Sequence, residues 1–442
     1  MTSKRWTMTA ALALALAAGG TGLARQAQPA PIPAAEGAAA RAPSLLPATQ
    51  ALFDRYVAER RVPGIVGAFG RDDHPTYFVS SGAIAWDEGA PAAGPDSLWR
   101  VYSMTKPVTA MAAMILIEEG KIGLDDPLSK YFPAFKTMRV LTQPDTSLDS
   151  RPATRPITIR ELLTHTAGLG YNIISKGPLL KEYEARGILP AALNVATEGK
   201  AKAARPTSLA EFADRVAKLP LIAEPGTKWS YSIGLDVMGA VIEKASGMPF
   251  DRFVQTRLLD PLKMTSTFWQ VPQKEAGRLA TNYAVMGQQG LPVDPAATSV
   301  YLQPPSFPYG GAGLVSSARD YDRFLHMIQD RGTLDGVRVL KPETVALATS
   351  NLLPAGVTFT GVTRGSVTDT GYGAGGYVTL ADRPGVLAGT YGWDGAANSV
   401  AWVNPTHRMR GVVMVNIFPP GSLPLRREVP AALMQDAARL HR

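Results

Sequence analysis

The stretch SMTKPVTAMAAMILIEEG, residues 103–120, predicts one long helix in the core of the protein. Its apolar residues recur at helical spacing, and Gly120 provides a stop signal. Proline fits only in the first turn of a helix, where its missing N–H has no partner to lose, so Pro107 places the helix start close to Met104. Ser103 then lies at or just before that start, and Lys106 follows one turn later.

Strand patterns occur near both ends of the chain, whereas helical patterns dominate its middle. PGIVGAFG (63–70) and TYFVSSGAIA (76–85) precede the helix, and GYVTL (376–380), NSVAWVNP (398–405) and RGVVMVNIF (410–418) come late. Strands contributed by both ends favour a single sheet that packs with helices in layers. We therefore predict an α+β fold, with an antiparallel sheet built from both chain ends, flanked by helices, and an inserted, mainly helical lobe.

The first 24 residues have the features of a secretory signal peptide. Lys4 and Arg5 form a basic start, and a short apolar run and small residues follow. We expect cleavage after about Ala24 and a periplasmic or secreted location. The segments expected to follow are a flexible lead of residues 25–47, a sheet-and-helix lobe of residues 48–123 and 310–442, and a mainly helical lobe of residues 124–309.

Composition excludes several classes of function. The 442 residues include no cysteine, which rules out disulfides, thiolate metal sites and a cysteine nucleophile. Removing the signal peptide removes two positive charges, so the formal net charge falls from +8 to +6, and the remaining basic residues are scattered. Nucleic-acid binders cluster their basic residues, so we expect no nucleic-acid partner. No apolar run reaches the roughly 20 residues of a membrane-spanning helix, so we expect no stable membrane span.

Ser103 and Lys106 together can form an activated nucleophile. Residues three apart on a helix share a face, so the ammonium can reach the serine hydroxyl, and the helix N-terminus favours negative charge on oxygen. A partly desolvated ammonium releases its proton more readily and can then accept the serine proton. The alternative is a helix-capping serine beside a surface lysine. The apolar residues Val108, Met111 and Met114 argue against it, because they predict a core helix.

Two further segments carry candidate residues. Tyr231 follows a Pro-Gly turn and precedes an amphipathic helix, and a phenol beside an ammonium can ionise and carry protons. In GTYGWDGAANSVAWVNP (389–405), the Gly395–Ala396 step can offer a backbone N–H to an oxyanion, and Trp393 can form a flat apolar wall. Taken alone, the first segment is more typical of a half-buried aromatic residue in a turn, and the second is typical of a glycine-rich hairpin.

Three short motifs occur in order along the chain, namely Ser103-Met-Thr-Lys106, Tyr231-Ser-Ile233 and Trp393-Asp-Gly395. The phrases LLTHTAGL, PGTKWSYS and GGAGLVSSARDYDRF connect them. In this combination the chain resembles the serine β-lactamase and penicillin-binding-protein superfamily, in particular class C β-lactamases and family VIII carboxylesterases. The resemblance extends from about Thr49 to Leu440.

The resemblance implies a role for each motif residue. Ser103 is then the acylated nucleophile, and Lys106 and Tyr231 together form the general base and acid. The N–H groups of Ser103 and Ala396 form the oxyanion hole, and Gly395 and Trp393 belong to the substrate-binding wall. The resemblance implies no metal and no organic cofactor.

Two positions depart from the family pattern. Ile233 replaces a frequent asparagine, and Trp393 replaces the lysine or histidine found in enzymes that act on β-lactams or peptidoglycan stems. A cation there would hold the substrate carboxylate, whereas tryptophan carries no charge. Strand alternation turns the neighbouring Asp394 away from Trp393, and an inward carboxylate would disfavour anionic substrates further.

We therefore expect a serine carboxylesterase whose partner is a small, neutral, short-chain ester. The first alternative is a β-lactamase or D-amino-acid (DD-)peptidase of the same fold. The second is a non-catalytic, penicillin-binding-like protein.

Two other patterns are interpreted as structural. GYGAGG (371–376) matches the dinucleotide fingerprint G-x-G-x-x-G, but it precedes a strand instead of following one. The five histidines are isolated and lack metal-ligand spacing. His165 could in principle serve as the base of a serine triad, but the chain has no G-x-S-x-G elbow.

Overall fold

The computed structural model of the protein describes residues 44–286, 289–362 and 369–440. The predicted signal peptide and residues 25–43 of the predicted flexible lead lie outside the described residues. No helix in the three described ranges has both the length and the apolar character needed to cross a bilayer.

The largest sheet has seven antiparallel strands, and both ends of the chain contribute to it. Its strands in chain order are β1 (Gly64–Arg71), β2 (Tyr77–Gly82), β11 (Thr370–Tyr372), β12 (Tyr377–Thr379), β13 (Tyr391–Asp394), β14 (Val400–Asn404) and β15 (Met409–Met414). In space they lie in the order β11-β12-β13-β14-β15-β1-β2. The α+β fold with an antiparallel sheet from both chain ends is therefore confirmed.

Shorter strands form small ladders outside this sheet. They are β3 (Leu98–Arg100), β4 (Arg139–Leu141), β5 (Ser150–Pro152), β6 (Asn282–Met286), β7 (Gln289–Asp294), β8 (Val315–Ser317), β9 (Thr333–Leu334), β10 (Val337–Arg338) and β16 (Ile417–Phe418). β3 pairs with β8, and β6 pairs in parallel with β16.

Eleven α-helices lie within the described residues. They are α1 (Pro47–Ala58), α2 (Thr105–Glu118), α3 (Ile159–Thr164), α4 (Gly177–Ala185), α5 (Val195–Ala201), α6 (Leu209–Val216), α7 (Gly234–Ser246), α8 (Phe250–Val254), α9 (Ala318–Gln329), α10 (Pro342–Ala348) and α11 (Leu425–Leu440).

The large sheet separates two hydrophobic cores. Side chains on one face, such as Ile65 and Phe69 of β1, pack with the helices α1 and α11. The alternate residues, Val66 and Ala68, belong to the larger core, which contains α2, α7 and α9. This division follows from the two-residue period of a strand.

The helix α2 lies at the centre of the larger core. Every residue from Thr105 to Leu116 is buried, and α7 packs along it. The helix begins at Thr105 and ends at Glu118, close to the limits that Pro107 and Gly120 predict. Its first turn therefore places Lys106 in the interior.

Candidate active site

Ser103 lies in a short 3₁₀ turn, Tyr102–Met104, between β3 and α2. Tyr102 has a φ of +43°, a left-handed conformation that is uncommon for a bulky residue. Packing maintains it, because the Tyr102 hydroxyl accepts a hydrogen bond from Asn282 Nδ2 at 2.8 Å and its ring meets Phe418 edge-on. Such strain is concentrated at functional sites. Here it presents a half-buried Ser103 side chain at the start of the helix.

The structure brings the three predicted catalytic side chains into contact. The Tyr231 hydroxyl lies 2.6 Å from Ser103 Oγ, and Lys106 Nζ lies 3.4 Å from the same oxygen. The cap residue of α2 is Met104, and no side chain caps this helix end. Ser103 is therefore not a capping serine, and its hydroxyl faces a phenol and an ammonium instead.

Lys106 is fully buried, which excludes the interpretation of a surface lysine. Its Nζ donates a 2.7 Å hydrogen bond to the carbonyl of Gly311. It also lies 4.6 Å from the ring centre of Tyr231 and 5.5 Å from that of Tyr171. Aromatic faces attract a cation, so the two rings contribute to the binding of the Lys106 side chain at this position.

Asp236, in the first turn of α7, is a second buried charge near the site. Its Oδ1 accepts a 2.8 Å hydrogen bond from the N–H of Gly311, the residue whose carbonyl binds Lys106. Burial raises the pKa of Asp236 to about 7, and the charge of Lys106 opposes that rise. Gly311 has no room for a side chain, because a Cβ there would lie 2.5 Å from Asp236 Oδ2.

His165 and Ser232 hold the segment that carries Tyr231. His165 ends α3 in a left-handed conformation, and its Nδ1 lies 2.9 Å from Ser232 Oγ and accepts a hydrogen bond from the Ser232 N–H. Burial, together with the charge of Lys106, holds the pKa of His165 well below its usual value. The imidazole is therefore neutral, and it packs against the Tyr231 ring at 4.9 Å. This placement agrees with the structural interpretation of His165.

Trp393 belongs to an aromatic cluster around the Tyr231 ring. The side chain is 7% exposed, and its ring centre lies 5.7 Å from Tyr231 and 5.2 Å from Tyr372. Ile233, the other departure from the family pattern, is fully buried and adds no polar group. The surroundings of the Tyr231 ring are therefore aromatic and uncharged at the Trp393 position.

The carboxylate of Asp394 is paired with an arginine. Both of its oxygens bind the guanidinium of Arg426 in α11, which also lies 4.3 Å from the ring centre of Tyr377. The pair neutralises both charges on this side of β13. Arg426 is consequently not available as a carboxylate-binding cation.

The hairpin after β13 lies against the turn that carries Ser103. A Cβ at Gly395 would lie 2.7 Å from the carbonyl oxygen of Val101, so a glycine is required for this close approach. The Gly395 N–H donates to the Ser399 carbonyl at 2.8 Å. Ala396, the next residue, packs on a small cluster that includes Tyr102. The hairpin thereby brings the backbone of residue 396 beside the residue that precedes Ser103.

Motif reasoning missed several residues that complete the site. Tyr171, Gly311 and Asp236 surround Lys106. The contact of Ser232 with His165 was also not predicted. A signal existed for Asp236, because it is the single acid within the apolar run LDVMGAVI at the start of a core helix. GYGAGG (371–376) instead comprises the end of β11 and the turn to β12, where the Gly373 N–H donates to the Gly376 carbonyl.

No set of three or more histidine, aspartate or glutamate side chains within the described residues has the arrangement of a metal site.

Comparison with known proteins identifies the family. A family model described as "Beta-lactamase" matches residues 49–434. The chain belongs to the β-lactamase family. Esterase EstB of Burkholderia gladioli is 32% identical over 303 residues, which cover 65% of this chain and 71% of that esterase.

Two further comparisons agree with membership in the β-lactamase family. An uncharacterized protein of Mycobacterium tuberculosis is 37% identical over 259 residues, and the match spans 58% of this chain and 60% of that protein. The solved structure of "EstCE1, a hydrolase with promiscuous acyltransferase activity" aligns with a TM-score of 0.71 and 25% identity. That alignment covers 88% of this chain and 98% of EstCE1. This branch of the family thus includes hydrolases and acyltransferases.

Proposed function

We propose that the protein is a serine carboxylesterase that forms an acyl-enzyme on Ser103 and acts on short-chain, neutral esters. The observation that carries this proposal is the 2.6 Å contact between the Tyr231 hydroxyl and Ser103 Oγ beside the buried ammonium of Lys106. EstB and EstCE1, whose names describe an esterase and a hydrolase, support the same chemistry.

The distances suggest separate roles for the tyrosine and the lysine. Tyr231 is the closer group to Ser103 Oγ, whereas the shortest hydrogen bond of Lys106 goes to Gly311. In acylation the Ser103 O–H bond breaks, the proton passes to the Tyr231 oxygen, and Oγ attacks the ester carbonyl carbon. Lys106 stabilises the phenolate that accepts this proton. Tyr231 then protonates the departing alkoxide, and the alcohol leaves.

The developing oxyanion needs donors that are already in place. We assign this role to the N–H groups of Ser103, at the start of α2, and of Ala396, in the adjoining hairpin. In deacylation the Tyr231 phenolate accepts a proton from water, and the water oxygen attacks the acyl carbon. Tyr231 then returns the proton to Ser103 Oγ, which releases the carboxylic acid and restores the Ser103 hydroxyl.

Within the described residues, the lack of a free cation near Trp393 supports neutral esters as substrates over β-lactams and peptide C-termini. Those alternatives carry a carboxylate, and Trp393 stands where the family places a cation. Arg426, in α11, is already paired with Asp394. Binding a carboxylate here would leave that charge without a partner, which is unfavourable in a desolvated cleft.

A matched pair of substrates tests this preference. We expect kcat/KM for p-nitrophenyl butyrate to exceed that for p-nitrophenyl hemisuccinate, which adds a terminal carboxylate, by about 10²-fold or more. Nitrocefin and a D-Ala-D-Ala peptide should be poorer still. Turnover of nitrocefin equal to that of the butyrate ester would favour the β-lactamase alternative instead.

We also propose that the protein is exported with cleavage after about Ala24. The basic start, the apolar run and the small residues of the segment 1–24 support this proposal. Recovery of the protein from the periplasm or medium with Arg25 as its first residue is the expected result. Cytoplasmic protein that retains residues 1–24 would contradict it.

A further inference from the structure

Asp236 is a buried carboxylate that the proposed reaction does not use. Its side chain is fully buried, and within the described part of the chain its Oδ2 has no hydrogen-bond partner. One hydrogen bond, from the Gly311 N–H, does not compensate for removing a carboxylate from water. An interaction with an opposite charge is therefore expected.

Lys106 supplies that opposite charge through a shared glycine. Gly311 donates its N–H to Asp236 and accepts from Lys106 at its carbonyl, so one residue joins the carboxylate to the ammonium. The two charges make no direct ion pair, and the space between them admits only glycine at position 311. Both charges lie in the protein interior, excluded from solvent. Coulomb interactions are stronger there than in water, because the dielectric constant is lower.

The groups around this pair come from several elements. His165, from the end of α3, is neutral, and Tyr171 and Tyr231 approach Lys106 from two loops. Burial, and secondarily the charges of Asp236 and Tyr231, raise the pKa of Tyr171. Among the described residues, Lys106 is the charged side chain that acts on Asp236, and the helices α3, α6 and α8 packed on α7 add no other.

We propose that Asp236 is a positioning residue, the buried counter-ion that keeps Lys106 charged and seated on the Gly311 carbonyl. The proposal rests on the proposed function, in which a charged Lys106 stabilises the phenolate of Tyr231. In this role Asp236 helps to set the pH range over which Ser103 is nucleophilic. Asp236 acts through Lys106 and does not touch the substrate.

The sign of the effect follows from electrostatics. An anion near a cation favours the protonated form of the lysine and disfavours the ionised form of the nearby phenol. Replacing Asp236 with asparagine removes the anion and keeps the shape. The Tyr231 phenolate, which is the base in the proposed reaction, should then form at lower pH. Asp236 is ionised above its pKa of about 7. We therefore expect the part of the acidic limb that lies above pH 7 to move down by at least about one pH unit in Asp236→Asn.

Labelling of Ser103 by a fluorophosphonate measures this profile without a substrate. We would record the labelling rate of wild type and Asp236→Asn from pH 5 to pH 10. The matched control is Asp320→Asn in α9, another nearly buried carboxylate, whose Oδ2 accepts from the Ser266 N–H at 2.6 Å and from the Thr267 hydroxyl. The acidic limb of the labelling profile of Asp320→Asn should coincide with that of wild type.

The possible outcomes separate the two proposals. Coincident profiles of wild type and Asp236→Asn above pH 7, with or without a lower rate, would overturn the counter-ion role. Wild-type protein that resists labelling at every pH would overturn the proposed function and this inference with it. If Asp236→Asn does not fold, Asp236→Ser also removes the charge, and the same shift is required of it.

Discussion

The Ser103→Ala variant is expected to lose at least about 10⁴-fold in kcat/KM for p-nitrophenyl butyrate while it folds like wild type. The reason is that the proposed mechanism uses Ser103 Oγ as the nucleophile, and alanine provides no hydroxyl beside Tyr231. The side chain is half-buried and caps no helix, so its removal leaves the core intact. Steady-state rates and thermal unfolding measured on the same samples would show both effects.

Ser208→Ala is the matched control for this variant. Ser208 also precedes a helix, but its hydroxyl does cap that helix, accepting from the Glu211 N–H at 3.1 Å. We expect the control to lose about 1 kcal/mol of stability and no activity. Ester hydrolysis by Ser103→Ala within tenfold of wild type would show that Ser103 is not the nucleophile.

Replacing Lys106 with methionine is expected to lower kcat/KM by about 10³-fold or more at pH 8. Methionine matches the length of the lysine stem but provides no charge to stabilise the Tyr231 phenolate. Folding should be judged at pH 6, because Asp236, with its pKa near 7, can then take up a proton and leave no unpaired charge in the core. The measurements are initial rates at pH 8 and thermal midpoints at pH 6.

Lys130→Met provides the comparison for a lysine without this role. Lys130 is exposed and pairs with Asp126 at 2.8 Å on the surface. Its loss should leave activity unchanged and alter stability by at most about 1 kcal/mol. Retention of a tenth or more of the wild-type activity by Lys106→Met would remove the lysine from the mechanism.

The sequence was sufficient to predict the sheet from both chain ends and the contact between Ser103 and Lys106. The reason is local: helical periodicity places residues three apart on one face, and Pro107 fixes where the helix begins. Three-residue strands such as Leu98–Arg100 and Val315–Ser317 went unpredicted, because they are too short to show a period.

Contacts between distant segments could not be predicted from local pattern. Gly311 meets Lys106 across 205 residues of chain, and Asp394 of β13 meets Arg426 of α11 across 32 residues. The positive φ of Tyr102 likewise depends on its tertiary partners Asn282 and Phe418. The family motifs indicated the nucleophile and its base, whereas the charges that tune them became visible only in three dimensions.

The central claim is that an acyl group is carried on Ser103 during turnover. The direct measurement is acid quench of the protein early in its reaction with p-nitrophenyl butyrate, followed by proteolysis and mass spectrometry of the peptides. We expect a butyryl group on Ser103 itself, in a peptide that is unmodified in Tyr231→Phe quenched at the same time. Rapid ester turnover with the butyryl group on another residue, or on none, would contradict it.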